Sequence, residues 1–248
     1  MFRIKIHIIS VLMISQLTIY CDISSAQQHS VGFSGGYNTG KFFNFSKNDD
    51  YNTKYHLKSG FSVASFYEAK MDSISNFRVE LQYRFQNADM AIDYNAGHAS
   101  FYKNLNYSFH LLNLNLLYAF EIVNRKSFKI NIVLGPTLSF TTNIRARGNG
   151  WNYQQVTQVD TLGNPVSSIT TQDWEKNERN SKDLSMFNIG VDLGLDFIIP
   201  VRDQLDFLIQ NKYNIIINNI LKLDNIKPTS LFTGSLQLGI RYKLKGNG

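Results

Sequence analysis

The feature that most constrains this chain is an alternation of bulky apolar with small or polar residues, repeated in segment after segment. In "SMFNIGVDLGLDFIIP", residues 185–200, Phe187, Ile189, Val191, Leu193, Leu195 and Phe197 take every second place. Asn188, Gly190, Asp192, Gly194 and Asp196 fill the places between. A repeat of two residues belongs to a β-strand with unlike faces, because successive side chains point to opposite sides of the pleat.

The pattern recurs in "FRVELQYRF" (77–85), "SFHLLNLNLLYAF" (108–120), "SFKINIVLGPTLSF" (127–140), "QLDFLIQNKYNIII" (204–217) and "LFTGSLQLGIRYKL" (231–244). "SVGFSGGYNTGKFF" and "GFSVASFYEAK" are weaker cases, the first rich in glycine and the second interrupted by Phe66. The expected fold is therefore all-β with eight strands. Connections 71–76, 122–127 and 199–204 are short, whereas 46–56, 87–105, 142–183 and 219–229 are longer and polar. Short turns on one side and long loops on the other describe an antiparallel transmembrane β-barrel with periplasmic turns and extracellular loops.

The remaining question is which face meets which solvent. An eight-stranded barrel encloses an interior just wide enough to be filled by side chains. The Phe, Leu, Ile and Tyr of these strands would overfill it, while the Gly, Ser, Thr and Asn of the other face fit. The apolar face is therefore expected to meet lipid. The inward set then includes charges of both signs: Glu68, Arg78, Glu80, Arg84, Lys129, Asp192, Asp196, Asp206, Lys212 and Arg241, with Lys70 and Lys243 at the ends. Isolated buried charges are prohibitive, so these are expected to pair across a filled polar lumen.

The first 26 residues stand apart. Arg3 and Lys5 precede "IHIISVLMISQLTIY", and Ser24, Ser25 and Ala26 supply a small-residue site. This reads as a secretory signal peptide, cleaved near Ala26 and leaving 27–248 as the barrel domain. Its removal takes away Cys21, the chain's one cysteine, and with it thiolate chemistry. Lipidation of Cys21 is disfavoured by the bulky Tyr20 before it. The net charge falls only from +6 to +5, and the surplus is scattered rather than gathered in a patch, so no nucleic-acid partner is expected.

The segments "VELQYRF", "LNLNLLYAF", "INIVLGPTLSF", "NIGVDLGLDF" and "LQLGIRYKL" together resemble the small outer-membrane β-barrel domain family of Gram-negative bacteria that includes PorT-type proteins. The resemblance covers about 30–244. It implies an outer-membrane address and a scaffold shared by many functions. In the closing segment, Gln237, Gly239, Tyr242 and Leu244 resemble the signal read by the barrel-assembly machinery, although Lys245–Gly248 follow it. The implied partners are outer-membrane lipid and lipopolysaccharide, that machinery during insertion, and, for a PorT-like role, proteins of a secretion complex.

Chemistry-bearing constellations are sparse. Ser108 and His110 lie two apart on the face of Leu112 and Leu114, but their order is not the His-x-Ser of lipid A deacylases and a serine nucleophile needs its base within hydrogen-bond reach, so they read as polar residues at the lipid–water interface. His29, His56 and His98 show no ligand spacing, and "KNDD" at 47–50 lacks the spacing of a calcium loop. No enzyme activity, cofactor or metal is expected. "RARGNG" (145–150) places Arg145 and Arg147 where lipopolysaccharide phosphate would lie. Residues 151–174 read as an ordered hairpin within the long 142–183 connection, which sets Trp151 opposite Trp174 if the turn is centred between Leu162 and Gly163.

Overall fold

The computed structural model describes residues 28–43, 52–95, 99–159, 165–178, 185–221 and 229–244. The expected signal peptide, "KNDD", His98, residues 160–164 and those after Leu244 lie outside the described residues.

The described residues form ten strands: β1 (His29–Phe43), β2 (Asn52–His56), β3 (Lys58–Lys70), β4 (Ser75–Asn95), β5 (Ala99–Asn124), β6 (Lys129–Val159), β7 (Pro165–Glu178), β8 (Phe187–Arg202), β9 (Leu205–Leu221) and β10 (Thr229–Lys243). Eight of them, β1, β3, β4, β5, β6, β8, β9 and β10, close into an antiparallel barrel. Closure joins the ends of the chain, with Ser30 facing Lys243 and Phe43 facing Ser230 across β1 and β10. Closure pairs both edges of each of these eight strands, as a bilayer without hydrogen-bonding partners demands.

The bulky alternating residues form the outer surface. Phe33, Phe61, Leu134, Leu193, Leu195, Leu238 and Ile240 are all exposed there. At the periplasmic rim the tyrosine hydroxyls find polar anchors: Tyr67 meets His29 Nδ1 at 2.7 Å, Tyr118 meets Ser75 Oγ at 3.1 Å, and Tyr242 donates to Gln204 at 2.9 Å. Tyrosine suits this level because its ring prefers lipid and its hydroxyl prefers water. The β3–β4 turn is fixed by Asp72, whose carboxylate accepts from the amides of Ile74 and Ser75 at 2.9 and 2.8 Å.

The two strands outside the closed barrel correct the expected loops. β2 pairs with Asp89–Asp93 of β4, above the place where β3 stops. β7 pairs with Ala146–Val159 of β6, above the β6–β8 ladder. Much of 87–105 is thus sheet rather than loop, while within 142–183 the expected hairpin forms. β4, β5 and β6 run on for 21, 26 and 31 residues, whereas β1, β8 and β10 stop at 15 or 16. One wall of the barrel therefore stands tall on the extracellular side.

The β6–β7 hairpin forms, but one residue out of the expected register. Trp151 faces Asp173, and Trp174 faces Gly150. The same register runs to Val159, which pairs with Pro165. A single-residue slip moves a position to the other face of a sheet. Trp151 stacks instead on Tyr102 of β5, with centroids 6.5 Å apart and planes at 23°.

Candidate functional site: the interior of the barrel

Within the membrane the inward face is mostly small and polar, with apolar clusters at Phe66, Ile198 and Leu208 and at Leu117, Ala119 and Val133, and among the described residues its charges are matched one for one. The carboxylates Glu68, Glu80, Asp192, Asp196 and Asp206 share the interior with Arg78, Arg84, Lys212, Arg241 and Lys243. Most of them join a continuous ladder of alternating sign. Asp196 Oδ2 lies 2.6 Å from Arg78 Nη1, and Arg78 Nη2 lies 2.6 Å from Glu68 Oε2. The other oxygen of Glu68 takes Arg241 at 2.7 Å, Arg241 reaches Asp206 at 2.7 Å, and Lys243 closes the run on Asp206 at 2.9 Å. The forked guanidinium groups are what make the ladder continuous, because each can engage two carboxylates at once.

A second group lies higher. Lys212 pairs with Glu80, which also accepts from Asn115 at 3.0 Å. Arg84 makes no ion pair among the described residues. It donates to Asn214 at 2.9 Å and to Gln82 at 2.8 Å. Asp192 accepts from Thr137 at 2.9 Å. Lys129 is a correction: it sits at the periplasmic rim, paired with Glu121 at 2.8 Å, and does not join the network. A lysine at the first position of β6 lies too far toward water to enter the lumen. Lys70 is likewise exposed at that rim.

Phe66, the residue that interrupts its strand's alternation, turns inward. It packs with Ile198 and Leu208, and the Arg78 guanidinium lies 4.6 Å from its ring centroid. The ring needs Gly32 opposite it, because a Cβ there would come within 2.1 Å of Phe66. Cation–π contact and ion pairing together hold Arg78, whose residue is fully buried.

A filled polar lumen describes only the membrane half. Above it the interior is apolar, a correction to the expectation. Phe42, Ala88, Met90, Ile92, Leu105, Tyr107, Phe109, Leu111, Ile144, Ile216, Ile220 and Leu231 form one buried cluster, with Tyr55 and Ala146 against it. Phe42 is its centre, edge-on to Tyr107 and to Phe109 with centroids 5.6 Å away in each case. Once the strands rise out of lipid, water lies outside them, and the apolar side chains must turn inward. "NADMAIDYN" carries the signal, since Ala88, Met90 and Ile92 alternate with Asn87, Asp89 and Asp93 in the opposite sense to the membrane segment.

The closing-strand residues take their places in the wall. Gln237 faces inward, accepts from Ser34 at 3.0 Å and donates to Ser62 at 2.9 Å. Gly239 lies against Phe33 and Ser34, while Tyr242 and Leu244 face outward. On the outer face Ser108 donates to Asn87 at 2.7 Å, and His110 Nδ1 meets the Tyr83 hydroxyl at 2.7 Å. Serine and histidine are each engaged elsewhere rather than with one another.

Residues 25–222 match the model of the outer membrane protein beta-barrel domain. No curated protein sequence matches the chain. Among solved structures, Ail, the attachment invasion locus protein of Yersinia pestis, is 11% identical, over 87% of this chain and 99% of that one, with a TM-score of 0.35. A major outer membrane protein of Thermus thermophilus gives 14% identity, 88% and 100% coverage, and a TM-score of 0.39. The outer membrane protease OmpT of Escherichia coli gives 8% identity, 88% and 97% coverage, and a TM-score of 0.46.

Proposed function

The chain belongs to the outer membrane protein beta-barrel domain family and resides in the bacterial outer membrane; on that premise we propose that it is a closed structural barrel that presents its tall extracellular wall for interaction. The observation that carries this reading is the double closure of the interior. A charge-matched polar ladder fills the membrane half, and an aromatic and aliphatic plug caps it. Passage of an ion would require breaking buried pairs and then wetting a dry, packed layer, each of which costs several kcal/mol by general estimates of about 3–5 for one lost partner. A barrel this narrow has no spare width for a side channel.

The test is conductance. Purified protein in planar bilayers should carry no steady current above the leak of the lipid. A stable, porin-sized current from the unmodified chain would overturn the closed-barrel reading.

A further inference from the structure

The outer face of β5 and β6 changes character over a few residues. Its lipid-facing part ends at His110 and Phe140, where His110 sits against Phe85 with centroids 5.1 Å apart. The next outward residues on β6 are Asn143, Arg145 and Arg147. Arg145 lies beside Ser108 and Arg147 beside Asn106 on β5. Both arginines are exposed, and among the described residues neither has an ion-pair partner. Ser108 and Asn87, bonded to each other, make an uncharged polar floor beside Arg145.

We propose that this face binds the phosphorylated headgroup of an outer-leaflet glycolipid, with Arg145 and Arg147 as its phosphate ligands. Height is the first argument. Arg145 is the first cation above the apolar band, at the level where acyl chains end and headgroup phosphates begin. Spacing is the second. Two residues apart on one strand face puts the Cα atoms about 6.5–7 Å apart, so both forks can engage one multiply charged headgroup. Chemistry is the third. Guanidinium binds phosphate through two parallel hydrogen bonds, and the carboxylate in the row of Arg147, Asp89 beyond Asn106, is already held by Lys58 at 2.7 Å. The amides and hydroxyl along the floor suit sugar hydroxyls better than they suit a plain phospholipid. The continuous lipid-facing surface below seats the acyl chains.

Native mass spectrometry of protein extracted from phosphatidylethanolamine vesicles carrying bisphosphorylated lipid A tests this. The unmodified chain should retain lipid A, and the double variant Arg145→Gln/Arg147→Gln should retain about tenfold less or lower still, the loss of roughly 1.4 kcal/mol. Arg145→Lys/Arg147→Lys should fall between them, because charge survives but the fork does not. Arg125→Gln/Lys126→Gln, an equal loss of charge in the periplasmic β5–β6 turn, should match the unmodified chain. Heat-shifted gel mobility confirms that each variant is a folded barrel, and the Lys pair carries the test if the Gln pair is not. Retention by the Gln pair equal to that of the unmodified chain would overturn the proposal. So would equal retention of dephosphorylated lipid A, or of phosphatidylglycerol supplied at the same charge.

Discussion

The same strands obey opposite rules in the two halves of this molecule. In the membrane, β4 turns Val79, Leu81 and Tyr83 outward and buries Arg78, Glu80, Gln82 and Arg84. A few residues further on, Ala88, Met90 and Ile92 are buried, while Asn87 and Asp93 lie on the other face. β5 makes the same exchange at Leu111 and Leu112, the first buried in the plug and the second turned to lipid. The backbone keeps its alternation throughout; the solvent outside it changes. Where lipid surrounds the barrel, the interior is the place for polar groups, and they must then satisfy one another. Where water surrounds it, the interior becomes an ordinary apolar core. The halves consequently differ in what damages them: unpaired charge below, lost volume above.

Arg78→Met strikes the lower half hardest. It leaves Asp196 and Glu68 without their shared cation inside a closed lumen. The expected loss is about 3–5 kcal/mol, the range for breaking one side of a buried pair. Urea unfolding of protein in vesicles, followed by gel mobility, measures it. A loss below about 1 kcal/mol would mean that the ladder is hydrated and not a closed network.

Phe42→Ala strikes the upper half. Emptying the centre of the plug should cost about 3 kcal/mol, toward the lower end for a buried phenylalanine because Tyr107 and Phe109 can relax toward the gap. Conductance should stay at the leak level, since the ladder below still seals the barrel. A steady current in this variant would assign the whole seal to the plug.

A matched pair of charges tests the change of solvent directly. Leu134 on β6 faces lipid, and Asn149 on the same strand is exposed above it. Leu134→Arg should cost about 2–4 kcal/mol, as a cation on the lipid face near the midplane does. Asn149→Arg should stay within about 0.5 kcal/mol. Equal costs in the same unfolding assay would show that the upper wall is not in water.

The smallest effect is at the periplasmic turn. Asp72 has its carboxyl held below the ordinary range, first by the Ser75 hydroxyl and then by the Ile74 amide. A lowered pKa means that the turn's stabilisation is present above the ordinary value and lost as pH falls through the lowered one. Exchange of the Ile74 and Ser75 amides, corrected for intrinsic rate, should therefore speed up only below about pH 4. Asp72→Asn should remove the pH dependence; its persistence would place the titration elsewhere.

The eight barrel strands, the lipid-facing residues and the presence of inward charges of both signs could all be read from the chain, because each depends on a local repeat of two. The tall wall was harder to read. Its residues also alternate, but with apolar residues on the inward side, so they look like polar loops if lipid is assumed to lie outside them. Phe66 likewise looked like a fault in a strand until Gly32 and Arg78 gave its ring a site.

By itself, then, the sequence determined that this chain alternates, where its faces lie in the membrane, and that charges of both signs share the interior. Those properties follow from backbone geometry and the composition of each face. Only the tertiary structure decided which carboxylate meets which cation, that Lys129 stays at the rim with Glu121, and that Trp151 meets Tyr102 rather than Trp174. The reason is physical: partner choice depends on register between strands far apart in the chain, and one residue of slip at a hairpin tip exchanges every pair.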